Sequence, residues 1–212
     1  WLATYGPALD DLRAALDWAF ATGGDAGLGV ALTIAAVPLW FQRTLLAECR
    51  TRVERALSTL GGAPGRDARA EMHLQAALGW SPMGTPGPAR ETAAAWAAAL
   101  QLAEGLEDTD HQLRALWGLW CSHVYNGRPR EGLQLAETFR AVATKASEPA
   151  DQLIGDRLMG VALHFLGEQT RARDHTERML GGYVAPPNRP DVVRFQFDQR
   201  VVARLTLSRI LW

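Results

Sequence analysis

The stretch LWGLWCSHVYNG, residues 116–127, places a thiol, an imidazole and three aromatic rings close together in a chain that has 2 cysteines and 5 histidines. A cysteine paired with a histidine base is the arrangement of a nucleophilic enzyme. On a helix, however, Cys121 and His123 lie about 200° apart and do not face each other. Trp117, Trp120, Cys121 and Val124 instead follow the spacing of one buried helix face. The stretch therefore predicts a packed helix, and a catalytic pair would need an imidazole from another helix.

Other motifs for catalysis or ligand binding are missing from the sequence. Lys145 is the only lysine and has no glycine-rich loop around it, which excludes a Walker-type nucleotide site within this chain. No histidine or cysteine spacing matches a zinc site, and GWSPMG at 79–84 does not fit the nucleophile elbow. His73 and His111 are isolated in the sequence. We therefore expect a chain that is not an enzyme and carries no cofactor and no metal.

Composition and charge narrow the class of protein further. The net charge of -1 and the pI of about 6.6 argue against direct contact with nucleic acid. The longest apolar run, residues 28–41, is shorter than the roughly 20 residues that span a bilayer. The two cysteines, Cys49 and Cys121, have no CxxC spacing and predict reduced thiols. Together these features predict a cytoplasmic protein without membrane contact.

The elements that position these residues are helices, because apolar residues recur at helical spacing along nearly the whole chain. We expect an all-α fold, a right-handed α-solenoid of helical hairpins in one domain over residues 1–212. The predicted helices are 5–21, 26–43, 45–60, 67–80, 88–105, 109–126, 129–146, 149–167, 169–181 and 190–211.

A repeat of about 40 residues relates the hairpins to each other. Gly127 and Gly167 fall in equivalent turns, and Gly132 and Ala172 occupy equivalent small-residue positions in the following helices; both pairs are 40 residues apart. Gly160 is expected where two helices approach closely. Cys49 and Ala93 fit the same small-residue position, with spacings of 44, 39 and 40 along the series. The unit resembles a tetratricopeptide repeat, but its period is longer than the usual value of about 34.

The last segment, DVVRFQFDQRVVARLTLSRILW, has the pattern of a first helix without a second one. A solenoid repeat does not bury its apolar face alone, so we expect the natural protein to continue beyond Trp212. The chain begins with Trp1 rather than methionine, which predicts a piece of a longer protein.

The opening stretch, PALDDLRAALDWAFATGGDAGLGVALTIAAVPLWFQRTLLAECRTRVERAL, resembles a region of large bacterial regulators of the STAND ATPase type. The likeness continues through LRALWGLW, GDRLMGVALHFLG and RFQFDQR. In that family a winged-helix DNA-binding domain and an ATPase domain precede a helical-repeat sensor region. The resemblance implies that this chain is the repeat region of a transcriptional regulator and contacts an ATPase domain outside it; the family's ATP-binding and DNA-reading motifs fall outside these residues.

A binding surface is expected on the concave face that the first helices of stacked hairpins form. Aromatic anchors with a few polar groups suit a peptide, a protein partner or a small effector. The same residues could equally form the core between repeats. The alternative function is a structural scaffold that self-associates near Trp212. The predicted concave-face residues are Trp117, Cys121, Val124, Tyr125, Arg157, Val161, His164 and Phe165.

Overall fold

The computed structural model describes residues 8–61, 65, 67–80, 89–184, 194–195 and 198–212. Over these residues the chain is all-helical, as predicted. Ten helices are described: α1 Leu9–Ala19, α2 Ala26–Gln42, α3 Leu46–Gly61, α4 Ala68–Gly79, α5 Ala89–Gly105, α6 Thr109–Val124, α7 Pro129–Ala143, α8 Pro149–Phe165, α9 Gln169–Gly182 and α10 Gln199–Leu211.

Aspartate side chains start four of these helices. Asp25, Asp67, Asp108 and Asp198 each accept a hydrogen bond from a backbone N–H in the first turn that follows, which satisfies a donor that the helix itself leaves open. Asp198 also corrects one prediction. Its extended backbone (φ -66°, ψ 113°) starts α10 at Gln199, so the predicted helix over 190–211 is interrupted there.

Four inter-helix turns share one geometry. Thr44, Glu107, Gly127 and Gly167 have positive φ values of 59°, 53°, 77° and 81°. In each turn the N–H of the next residue donates to the carbonyl five residues before it, over 2.8 to 3.0 Å, which is the Schellman arrangement. Gly127 and Gly167 were predicted from the repeat. Thr44 and Glu107 were not, because side chains other than glycine rarely adopt this conformation.

The second helices of the hairpins bury residues at the same spacing. Counting the small residue of the repeat as position 1, the buried residues are at positions 1, 5, 8 and 12. In α7 these positions are Gly132, Ala136, Phe139 and Ala143, all of them buried. The same positions are buried from Ala172 in α9, and from Cys49 in α3 the first three are buried and the fourth, Leu60, is partly buried. The repeat predicted the equivalent positions of Cys49 and Ala172. In α5 the buried residues Trp96, Ala99 and Ala103 place Thr92 at the first position. The prediction for Ala93 is wrong by one residue, because an alanine-rich helix offers no size contrast to fix the register.

Several first helices of neighbouring hairpins contact one another. Consecutive helices pack against each other throughout, and α2 also contacts α4, α4 contacts α6, and α8 contacts α10. Gly160 lies where α8 meets α9: a side-chain carbon there would overlap Thr176 and approach the Ala172 carbonyl oxygen to 3.2 Å. We call the side formed by α2, α4, α6, α8 and α10 the first-helix face. Among the described residues, no helix is both long and apolar enough to cross a bilayer.

Arg194 ties its short segment to two first helices. Its Nε donates to Asp110 of α6 over 2.7 Å, and its Nη1 and Nη2 both donate to Asp151 of α8, the latter over 3.1 Å. Arg194 and Asp151 are both buried. The adjacent Phe195 contacts Trp117 and Phe139 with ring centroids 6.1 and 6.0 Å apart, so the segment completes the larger apolar core.

Candidate functional site

The eight predicted concave-face residues divide into two groups. Three of them, Tyr125, His164 and Phe165, reach the surface, and the exposed fractions of Tyr125 and Phe165 are 46% and 48%. The other five are buried between helices. Their assignment to a binding surface stays a prediction; the five buried residues are Trp117, Cys121, Val124, Arg157 and Val161.

The Cys121 thiol lies in this buried group. Burial raises its pKa to about 12, an effect that the nearby Arg157 charge only partly offsets, so the thiol is protonated at neutral pH. Among the described residues no imidazole forms a hydrogen bond with its sulfur. Cys49 is also a free, buried thiol. Both observations fit the interpretation of residues 116–127 as a packed helix.

A cleft of about 130 Å³ opens elsewhere on the first-helix face, between α2, α4 and α6. Its walls are mainly aliphatic and aromatic, with three polar side chains at one side. The cleft is lined by Ile34, Val37, Pro38, Phe41, His73, Ala76, Ala77, Trp80, Trp96, His111 and Arg114.

Aromatic rings at the ends of α2 and α4 form one wall of the cleft. Phe41 and Trp80 stack with ring centroids 4.5 Å apart and an interplanar angle of 14°. Both lie at the carboxyl ends of successive first helices, which stacking brings side by side. Pro38 contributes a second feature: because proline has no N–H, the helical hydrogen bond to the Ile34 carbonyl cannot form.

Two glycines position the third aromatic ring, Trp96 of α5. A side-chain carbon added at Gly79 in α4 or at Gly118 in α6 would overlap the Trp96 indole. The ring is therefore seated where both first helices lack a side chain. Trp96 is only 2% exposed, so nearly all of its surface packs against neighbouring residues and only a small part lines the cleft.

The polar side of the cleft brings together two histidines that are 38 residues apart in the sequence. The His73 and His111 rings meet edge to face with centroids 4.6 Å apart. The two residues are isolated in the sequence, so this contact was not predicted. His111 is held by Asp108, whose Oδ1 lies 3.1 Å from both its backbone N and its Nδ1. Arg114 Nη2 is 2.7 Å from Asp110 Oδ2.

Burial controls the charge of these histidines. It lowers the pKa of His73, and the neighbouring His111 lowers it further. Burial and the charge of Arg114 also lower the pKa of His111, against the opposing effect of Asp108. For Asp108 burial acts to raise the pKa, but hydrogen bonds from His111 outweigh it and leave the pKa below its usual value. At neutral pH the cleft therefore presents neutral imidazoles beside an apolar surface.

Metal ligands are not grouped in the described part of the chain, where no three histidine, cysteine or acidic side chains are placed to hold an ion. The apolar walls of the cleft, with two imidazoles among its lining residues, suit recognition of an apolar group with a hydrogen-bonding end. Comparison with protein-family models and with curated proteins finds no match for this chain.

The cleft was not predicted from the sequence, because all the predicted binding residues lie in α6 and α8 or directly after α6. The aromatic residues near the ends of α2 and α4, Phe41 and Trp80, were the available signal. Once both helices are assigned as first helices of adjacent hairpins, these rings are expected to lie close together. The contact of His73 with His111 had no comparable signal, since their positions within α4 and α6 differ.

Proposed function

We propose that this chain is a recognition module that binds a protein or peptide partner by accepting an aromatic side chain in the cleft between α2, α4 and α6. The observation that carries the proposal is the cleft itself, a concave, mainly apolar site on the first-helix face. Its volume of about 130 Å³ is close to the roughly 150 Å³ of an engineered apolar cavity that binds benzene. One aromatic ring therefore fills it.

The cleft also favours one orientation of the bound aromatic side chain. The stacked Phe41 and Trp80 rings favour an aromatic guest through offset or edge contacts. His73 and His111 are neutral at neutral pH, so a phenol or indole can form a hydrogen bond with an imidazole nitrogen without displacing a charge. These features favour tyrosine or tryptophan in the partner over an aliphatic residue.

The wider setting that we propose follows from the resemblance to STAND-type regulators. In that setting the module lies in the cytoplasm and senses a partner or effector, and occupancy of its first-helix face changes how it docks on an ATPase domain outside this chain. A ligand shifts such an equilibrium only by its difference in affinity for the two states. The family likeness supports this setting.

A substitution that fills the cleft tests the proposal. Ala76 lines the cleft, and Ala76→Phe puts a ring where the guest ring binds. Ala97→Phe adds the same ring to an exposed position on α5 and is the matched control. Phage-displayed peptides selected on the wild type are expected to carry tyrosine or tryptophan. They are expected to bind Ala97→Phe with the affinity of the wild type and to bind Ala76→Phe at least about tenfold more weakly.

Small probes separate a peptide site from a small-effector site. Indole and p-cresol are expected to shift the NMR signals of the Trp80 and His73 side chains in the wild type and in Ala97→Phe, but not in Ala76→Phe. Peptides without an aromatic residue, or equal binding by both variants, would contradict the proposal. Probe binding without any selected peptide would instead favour a small effector.

Self-association is the second candidate function. Four apolar side chains of α10 and the residue after it are exposed: Val201, Leu205, Leu211 and Trp212. An exposed apolar patch of this kind marks many protein interfaces. Light scattering over a range of concentrations tests it: an increase in mass that Leu205→Glu abolishes supports the scaffold function, and a constant monomer mass contradicts it.

A further inference from the structure

Arg157, in the middle of α8, is a buried cation without an acidic partner among the residues that the structure describes. The residue is only 2% exposed. Its Nε and Nη2 atoms are buried and have no hydrogen-bond partner. Its guanidinium lies 5.2 Å from the centroid of the Trp120 ring, which offers a cation–π contact but no negative charge.

An unpaired charge in this position is unfavourable for folding. Removing a guanidinium from water costs free energy that is normally recovered through a carboxylate and several hydrogen bonds. Burial lowers the pKa of Arg157, while the groups that raise it are Tyr125 and Cys121. Arginine nevertheless remains charged in proteins. Burying this charge therefore costs folding free energy, and no described group that hydrogen-bonds to Nε or Nη2 offsets that cost.

The unpartnered atoms form a recognisable edge. Nε and Nη2 are the two donors on one side of the guanidinium, and they match the two oxygens of a carboxylate in a bidentate pair. A single oxygen acceptor such as a hydroxyl would satisfy only one of them. The edge formed by Nε and Nη2 is therefore complementary to a planar anion.

The surface near Arg157 carries an aromatic ring and a second guanidinium group. Tyr125 contacts the Trp120 ring edge-on, with centroids 5.9 Å apart, and is about half exposed. The charges of both Arg157 and Arg209 act on the Tyr125 hydroxyl. Arg209 is exposed on α10 and has no ion-pair partner in the described part of the chain. An anion that enters beside Tyr125 thus meets two guanidinium groups and an aromatic wall.

We propose that Arg157 anchors an anion-binding site that takes the carboxylate of an apolar or aromatic ligand, with Trp120 and Tyr125 against the ligand body. The site lies between α6, α8 and α10, whereas the cleft of the proposed function lies between α2, α4 and α6. The two sites are separate, and binding at one does not require an occupant in the other. Tests of Ala76→Phe and of Arg157 therefore fail or succeed independently.

Thermal unfolding and calorimetry with three probes at constant ionic strength test the site. Sodium benzoate, acetate and inorganic phosphate are added separately to the wild-type chain. Benzoate is expected to raise the melting temperature most, acetate less and phosphate least, because only benzoate combines the planar anion with an aromatic body. A response to phosphate equal to or larger than that to benzoate would overturn the assignment to a carboxylate, and no response to any probe would overturn the site.

Two variants of Arg157 separate a ligand site from a structural residue. Arg157→Met removes the charge but keeps an apolar chain, and we expect its melting temperature without ligand to equal or exceed that of the wild type. Arg157→Lys keeps the charge without the bidentate edge. Both are expected to bind benzoate about 10- to 100-fold more weakly, the range of a charged hydrogen-bond pair.

The control is Arg204→Met, which removes an exposed guanidinium from the same region of α10 and is expected to bind benzoate like the wild type. A lower melting temperature in Arg157→Met together with unchanged benzoate affinity in Arg157→Lys would overturn the proposal and make Arg157 a structural residue.

Discussion

Arg157 and Arg194 are both buried in the carboxyl-terminal half of the chain, yet their surroundings differ. Arg194 is held by two carboxylates, Asp110 and Asp151, through three hydrogen bonds. Arg157 has an aromatic ring and a thiol beside it and, within the described ranges, no carboxylate. Both guanidinium groups lie next to aromatic side chains, with Arg194 4.7 Å from the Phe195 ring centroid.

The difference shows how the same side chain serves structure in one place and recognition in another. When the chain supplies the anion, as around Arg194, the pair fixes a segment onto two helices. When the chain supplies only the cation, as at Arg157, the cost of burial is recovered through a ligand. A stability cost at a binding site of this kind is common, because folding and function select for different contacts.

The largest expected effect comes from removing the cation that is paired. Arg194→Met leaves Asp151, which is 1% exposed, as an unpaired buried carboxylate. Breaking a buried pair in this way costs about 3–5 kcal/mol. Urea unfolding measures it, and Arg200→Met, which removes an exposed guanidinium from α10, is expected to stay within about 0.5 kcal/mol of wild type. Equal stabilities for the two variants would remove the contrast with Arg157.

A smaller effect is expected from giving Arg157 an internal partner. The Cys121 side chain is close enough to Arg157 that its ionised form would raise the Arg157 pKa, so Cys121→Asp places a carboxylate near the guanidinium. Cys121→Asn has the same size without the charge and is the reference. We expect Cys121→Asp to be more stable than Cys121→Asn by about 1.5–3 kcal/mol, the value of a charged hydrogen bond.

The same pair of variants also links stability to binding. Once Cys121→Asp satisfies Arg157 internally, benzoate is expected to lose its effect on the melting temperature. Cys121→Asn is expected to keep that effect. If Cys121→Asp were the less stable variant and still responded to benzoate, Arg157 would not behave as a vacant partner for a carboxylate.

The smallest effect is the contribution of the two cleft histidines to the dependence of stability on pH. His73 and His111 have a pKa below the ordinary value of 6.5 in the folded chain, chiefly because of burial and despite Asp108. The unfolded chain therefore takes up protons first as the pH falls below 6.5. Stability is expected to decrease from there toward the lowered pKa values, by at most about 1.4 kcal/mol per pH unit for each imidazole, and to be constant above about pH 7.5.

Urea unfolding at pH 5.5, 6.5 and 7.5 measures this slope. His73→Phe keeps an aromatic ring against His111 and removes one titrating group, so its slope is expected to be smaller. An unchanged slope would show that His73 does not contribute. Binding of benzoate at Arg157 is expected to stay constant over the same range, because guanidinium keeps its charge, and this separates the two sites experimentally.

Local sequence signals predicted most of the helices. Ten helices were expected and ten are described, and the bounds of α2 and α6 differ from the predicted ones by at most two residues. The repeat predicted the turns at Gly127 and Gly167, because glycine readily adopts a positive φ. The start of α10 was missed because Asp198 interrupts an apolar pattern that is otherwise helical on both sides. The N-cap preference of aspartate was the available signal.

The contents of the two sites depended on tertiary structure. Helical periodicity determines which residues of a helix are buried, because neighbouring side chains on one face share the same environment. It does not determine which helix supplies the partner. The contact of His73 with His111 and the seating of Trp96 against Gly79 and Gly118 depend on the register between helices.

The sequence by itself therefore determined an all-α chain of helical hairpins, in which residues 116–124 belong to a packed helix and residues 125–127 to the turn after it. Only the tertiary structure decided that Arg194 meets two carboxylates while Arg157 meets none of those in the described residues. The physical reason is that the periodicity within a helix fixes burial, whereas charge pairing across helices depends on distances of a few ångströms that no local pattern encodes.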